Sequence, residues 1–276
     1  MSTAIDKFRL DGRVAVITGG AGLLGVQHAE ALAAAGASPV LVDLDRAKPS
    51  DAAARIAERF HVPTMGLPTD ITNPASVDAM RDAVLERFER IDILINNAAN
   101  NPKVEAASDR PWSRLENFPL NVWEDDIRVG LTGAFLCART LGHEMAKRGS
   151  GVILNIASDL AVIAPDQRLY RQDGLAEDQQ PVKPVTYSIV KSALLGLTRY
   201  LATYWADAGV RVNAISPGGV FNQQPEVFLG RLNQLIPMGR MANLDEYQGA
   251  ILFLCSDASS YMTGANLVVD GGRTCW

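Results

Sequence analysis

Short runs of apolar, mostly β-branched residues alternate along the chain with longer stretches whose apolar positions recur three and four apart. The runs are RVAVIT from position 13, PVLVD from 39, IDILIN from 91, GVILNIAS from 151, RVNAIS from 211 and NLVVD from 266. A weaker run, TMGLPTD from 64, lies between the second and third. Helical spacing fills the gaps at 23–35, 51–60, 74–90, 123–147, 187–206 and 244–256, and Asn73 before Pro74 reads as an N-cap followed by a helix-starting proline. Continuous apolar runs alternating with helices predict βαβ units, so the expected fold is α/β: a doubly wound, three-layer αβα arrangement around a seven-stranded parallel sheet. Right-handed crossovers put helices on both faces and a ligand at the carboxyl ends of the strands.

No Pro/Gly/Ser-rich linker or internal repeat divides the chain, so 1–276 is expected to form a single domain. Two segments break the rhythm. One is polar and proline-bounded, an inserted loop at 163–183; the other is a substrate-loop region at 218–242. Long excursions of this kind from a compact domain usually carry function.

Hydrophobic residues make up 47% and charged residues 21%, which supports a sizeable core. The net charge of -5, with no run of like charge, offers no footprint for nucleic acid or an anionic membrane. Cys137, Cys255 and Cys275 are far apart and lack histidine neighbours at ligand spacing, so neither a disulfide framework nor a metal site is expected. The first residues carry no apolar signal segment, and no stretch of about 18 apolar residues could span a bilayer. A cytoplasmic protein is the expectation.

Chemistry enters after the first run. TGGAGLLG, 18–25, leads straight into a helical pattern, where glycines allow a tight turn and the helix start offers free N–H groups to a pyrophosphate. Asp43 ends the second run, placed to accept hydrogen bonds from ribose hydroxyls and to repel a 2′-phosphate. That favours NAD over NADP, with Arg46 nearby as the opposing consideration. Tyr187 and Lys191 lie four apart at the start of a helix and so share one face. An adjacent ammonium stabilises a phenolate, which suits the pair to proton transfer.

From Arg13 to Gly272 the chain resembles the short-chain dehydrogenase/reductase family, in its shorter dehydrogenase branch and with a Rossmann-type fold. The resemblance rests on TGGAGLLG, Asp70 in TDI, NNAA at 96–99, Ser158 in NIAS, YSIVK, SPGG at 216–219 and VDGG at 269–272. It implies an NAD(P)-dependent oxidoreductase acting on CH–OH groups, which moves a hydride between nicotinamide and a secondary alcohol or ketone. By that likeness Tyr187 is the general acid/base, Lys191 holds the nicotinamide ribose and lowers the tyrosine pKa, and Ser158 binds the reacting oxygen. The cofactor would lie against Thr18, Gly19, Gly22, Leu23, Leu24, Gly25, Asp43, Asp70, Ile71, Asn97, Ala98, Ala99, Tyr187, Lys191, Pro217, Gly218 and Val220. The glycine loop, VGLTGAF and the GGRTCW tail also resemble dehydrogenases of bacterial surface-glycan and flagellin modification.

Three departures qualify the likeness. The glycine loop carries Leu23 where the family usually has glycine, a spacing found in the extended, epimerase-like branch. Gly130 stands where the family commonly places a proton-relaying asparagine. The stretch from Ser158 to Tyr187 is longer than in typical members. Its Gln167, Arg168 and Arg171, with Lys183, suggest a sugar or sugar derivative, phosphorylated and nucleotide-linked forms included. An NAD-dependent nucleotide-sugar epimerase or dehydratase and a non-catalytic dinucleotide-binding sensor are the alternatives. The helix after Tyr187 is apolar around much of its circumference, and with the 123–147 helix it resembles the pairs through which the family forms homodimers and homotetramers; a tetramer is expected.

Overall fold

The structure is a computed structural model describing residues 3–100 and 111–276. All seven expected strands form: β1 (Val14–Thr18), β2 (Ser38–Asp43), β3 (Met65–Pro68), β4 (Ile93–Asn96), β5 (Gly151–Ile156), β6 (Val210–Pro217) and β7 (Asn266–Val269). Every pairing is parallel, in the order β3-β2-β1-β4-β5-β6-β7. The order reverses between β1 and β4, which opens a crevice at their carboxyl ends.

Helices cover both faces. On one, α1 (Leu23–Ala34), α2 (Pro49–Phe60) and α8 (Gln248–Cys255) bury Ala29, Leu32, Ile56 and Ile251 against Ile17, Leu41, Ile95 and Leu154. On the other, α3 (Pro74–Phe88), α5 (Gly133–Lys147) and α6 (Val185–Tyr204) bury Val77, Leu141, Met145 and Leu201 against Val16, Leu94, Ile153 and Val212. Strands covered on both faces read as unbroken apolar runs, which explains why they stood out in the sequence. Asn73 caps α3 as expected, its side chain accepting from Ala75 N.

The helix expected at 123–147 is divided. Between α4 (Leu120–Ile127) and α5 the chain makes a wider π turn at Arg128–Thr132. Two glycines there take close contacts: a Cβ on Gly130 would stand 2.5 Å from Val190 Cγ1, and one on Gly133 would stand 2.7 Å from Ile71 Cδ1. Such bulges re-aim the side chains around them and cluster at functional sites.

The two long excursions are built on each other. Region 218–242 contains a further helix, α7 (Glu226–Asn233), whose Leu232 joins Ile236, Met241 and Leu169 of the insert in a small separate core. The rings of Tyr170 and Phe228 lie 5.7 Å apart across that contact. Within the insert, only the 3-10 turns Gln167–Tyr170 and Glu177–Gln179 are regular. Among the described residues, no helix is long and apolar enough to cross a membrane.

Candidate active site

The crevice between β1 and β4 is fixed by Thr18. Its hydroxyl, buried at the end of β1, accepts from Asn97 N at 3.0 Å and Ala98 N at 3.1 Å. Asn97 returns the contact, its amide donating to the carbonyls of Thr18 and Gly19. The glycine loop is therefore clamped to the chain after β4, and Thr18 and Asn97 shape the cleft.

Gly19 has φ +62°, a left-handed conformation that costs a β-carbon strain. A Cβ on Gly25 would collide with the Gly19 carbonyl. No side chain caps the N-terminus of α1. Its first-turn N–H groups, at Leu23 and Leu24, thus meet a backbone cradle without intervening side chains, which fits the pyrophosphate of a dinucleotide. Leu23 is 46% exposed, so the residue that departs from the family spacing lies outside the packed part of the turn.

Asp43 lies at the end of β2 beside this loop, its carboxylate accepting from Ala21 N at 3.2 Å and Leu44 N at 2.8 Å. Those contacts orient it while leaving it half-buried at the cleft, where a ribose would arrive. Asp70 is exposed and uses one oxygen on Thr72, accepting from both its N–H and its hydroxyl. Ile71 is buried against Gly133. Across the crevice, Gly218 N donates to Val269 O and Tyr247 donates to Gly218 O at 2.9 Å, fixing the chain after Pro217. Val220 pairs with Ala242.

Ser158, Tyr187 and Lys191 converge at the carboxyl end of β5. The Ser158 hydroxyl donates to Asp159 Oδ1 at 2.7 Å and accepts from Leu160 N. Lys191 is buried and donates to Ile156 O at 2.7 Å. Burial pushes its ammonium down to about 8, with the charge of Lys183 adding to the effect. The sequence led us to expect a lowered tyrosine pKa, but burial pushes the Tyr187 phenol up, the neighbouring Ser158 hydroxyl holds it partly back, and the Asp159 charge adds to the rise. A lowered tyrosine pKa needs positive charge close to the phenol.

Behind Tyr187 is a cavity holding about 10 Å³, near the minimum for one water, lined by Ala99, Asn100, Asp126, Gly130, Thr186, Val190 and Lys191. Val190 fills the space that a side chain at Gly130 would take, while Asn100 lines the same cavity. Asp126 is buried on the same cavity and accepts from the Thr186 hydroxyl.

The insert contributes differently from expectation. Arg168 is exposed and bound to Asp166, while Arg171 is exposed and bound to Glu177. Both line a separate open groove of about 750 Å³ that includes neither Ser158 nor Tyr187. Gln167 accepts from Lys183 N at 2.8 Å. It is Lys183 itself that reaches the Tyr187 ring. Sequence reasoning did not find Asp159 or Arg273, which form a buried ion pair at 2.7 Å beside Ser158; adjacency to Ser158 was the one available signal for Asp159, and Arg273 had none.

Two family models match, "short chain dehydrogenase" over residues 13–170 and "Enoyl-(Acyl carrier protein) reductase" over 175–274. The chain belongs to the short-chain dehydrogenase/reductase family. Membership makes it an oxidoreductase acting on CH–OH groups. It is 36% identical over 277 residues to a D-threitol dehydrogenase of Mycolicibacterium smegmatis, covering 97% of this chain and 95% of the relative. It is 34% identical over 275 residues to an NAD-dependent glycerol dehydrogenase of Listeria innocua, covering 98% and 97%. A gluconate 5-dehydrogenase from Burkholderia cenocepacia, solved in complex with NADP and tartrate, superimposes with a TM-score of 0.83 at 31% identity, covering 99% of this chain and all of that one.

Proposed function

We propose that this dehydrogenase oxidises free sugar alcohols and related small polyols with NAD, and reduces the corresponding ketoses in reverse. The observation that carries the reading is the convergence of Ser158, Tyr187 and Lys191 beside the clamped glycine loop and Asp43. The substrate hydroxyl would sit between Ser158 Oγ and Tyr187 Oη. In oxidation, Tyr187 as phenolate accepts the hydroxyl proton while the C–H pair leaves as hydride. The bound dinucleotide supplies the hydride acceptor and a positive charge. Lys191, held by Ile156 O, keeps its ammonium at the tyrosine face of the cleft.

A free polyol fits better than a phosphorylated or nucleotide-linked sugar, since Arg168 and Arg171 are already neutralised away from the reacting centre. The threitol and glycerol dehydrogenases among the relatives point the same way. For the cofactor, the Asp43 carboxylate would meet a 2′-phosphate with like-charge repulsion, which favours NAD although the fold also accepts NADP in a neighbour.

The test is NADH formation by purified protein offered NAD or NADP with threitol, glycerol, hexitols and sugar phosphates. Turnover of a polyol with NAD, lost by at least about a thousandfold in Tyr187→Phe, is expected. Turnover of a nucleotide sugar without net NADH would install the epimerase reading, and cofactor binding with no turnover at all the sensor reading. We further infer association through α5 and α6, where Phe135, Tyr200 and Tyr204 are exposed, to a homotetramer. A monomer in light scattering at micromolar concentration would refute it. Free, unbridged Cys137, Cys255 and Cys275 suit the cytoplasm.

A further inference from the structure

The ring of Tyr187 is flanked by two ammonium groups. Lys191, one helical turn later, has Nζ 5.9 Å from the ring centroid. Lys183 is closer: it leaves the insert just before α6 and places Nζ 3.9 Å from the same centroid, over the face of the ring. At that distance a cation is attracted by the π electrons of a phenol, and more strongly by those of a phenolate, whose ring carries part of the negative charge.

We propose that Lys183 is a second cation acting through Tyr187, stabilising its phenolate from the ring face and so setting the pH range in which the tyrosine accepts the substrate proton. The proposal rests on Tyr187 being the general base of the dehydrogenase reading above. It gives the insert a role that its arginines do not fill: the extra chain between Ser158 and Tyr187 delivers a lysine to the reacting centre. Gln167 supports the placement by accepting from Lys183 N.

The surrounding charges agree with it. Asp159, after β5, and Asp126, on α4, both favour the charged form of Lys183, while burial opposes it and brings the group down to about 8. Lys191 on α6 faces the same space and repels it. Ser158, beside Asp159, lies against the phenol. Among the described residues, Tyr170 of the insert and Arg273 of the tail are further titratable and charged groups near the ring. Below about pH 8, then, Lys183 is an ammonium favoured by the charges of Asp159 and Asp126 and placed over the face of the Tyr187 ring. A single charge at such a range moves a phenol by about one to three pH units when the medium behaves as a protein surface rather than as bulk water.

The experiment compares Lys183→Met, which removes the charge, with Lys183→Arg, which makes it permanent. Tyr187 is titrated in the NAD-bound protein by phenolate absorbance, with the same titration of Tyr187→Phe subtracted. A midpoint about one unit or more higher in Lys183→Met than in Lys183→Arg supports the proposal. Equal midpoints in the two variants overturn it, since a packing role is insensitive to charge. This readout needs no substrate, so it stands even if no polyol is turned over and the functional reading fails. Where turnover is found, the acid limb of the kcat/KM profile in Lys183→Met should move to higher pH by the same amount, with activity recovered there. A pH-independent rise in KM would instead make Lys183 a substrate contact and overturn the proposal.

Discussion

Removing the Arg273 guanidinium while keeping its apolar stem, as in Arg273→Met, tests whether the C-terminal tail is part of the active site. Arg273 and Asp159 pair at 2.7 Å with side chains only 9% and 5% exposed. Breaking a buried pair by deleting one partner costs about 3–5 kcal/mol, because the other charge is left uncompensated in a poor solvent. Asp159 would keep two donors, the Ser158 hydroxyl at 2.7 Å and Leu160 N at 2.9 Å. That places the loss near the lower end, about 3 kcal/mol, or on the order of 10 °C in Tm for a chain of this size. The stranded carboxylate should also turn toward water and draw Ser158 with it, so kcat is expected to fall by about tenfold. Denaturant unfolding of Arg273→Met, Asp159→Asn and the double variant, with kcat for each, is the assay. Asp159→Asn in the Arg273→Met background should restore part of the stability, because it removes the stranded charge. A single variant within about 1 kcal/mol of the parent, or strict additivity in the cycle, would refute the reasoning.

Two further outcomes follow from buried positions. Gly130→Asn, which restores the family's common residue, should destabilise by about 1–3 kcal/mol in urea unfolding, because its Cβ would stand 2.5 Å from Val190 Cγ1; adding Val190→Ala should recover most of this, and an unaffected single variant would contradict the packing account. His28 on α1 is buried with no well-formed hydrogen bond to either ring nitrogen, and burial, opposed weakly by the nearby Asn97 side chain, lowers its pKa from 6.5 to about 4. A lowered folded pKa means that the neutral ring's stability is fully present above pH 6.5 and is lost as pH falls toward 4, a loss of about 3 kcal/mol. Denaturation measured across that window should show His28→Met losing that much less than the parent, and parallel curves would rule this out.

What the sequence showed and what it hid divide along a physical line. The strands were legible because β1, β2, β4 and β5 are covered on both faces and so read as apolar runs. Their parallel order and the glycine turn follow from local chemistry, and the convergence of Ser158, Tyr187 and Lys191 follows from that order. Helix α7 was hidden because it packs on the insert rather than on the sheet, so its apolar positions belong to a small separate core. Charge was the feature most easily misread. Arg168 and Arg171 look like available donors in a string of letters, yet Asp166 and Glu177 claim them.

The opposite error applies to the tail and to Gly130. Arg273 lies 114 positions from Asp159, and no spacing rule announces a contact of that range. Gly130 reads as a lost relay, but the β-carbon test shows a position that Val190 keeps empty of any side chain. The proposed catalytic residues could be located one at a time because each sits on or beside an element that the local pattern predicts. The groups that tune them, Asp159 with Arg273 and Lys183 over Tyr187, come from the turn after β5, the tail and the insert, whose paths are set by packing. Local reading of the sequence therefore reaches the reaction sooner than it reaches the residues that tune it.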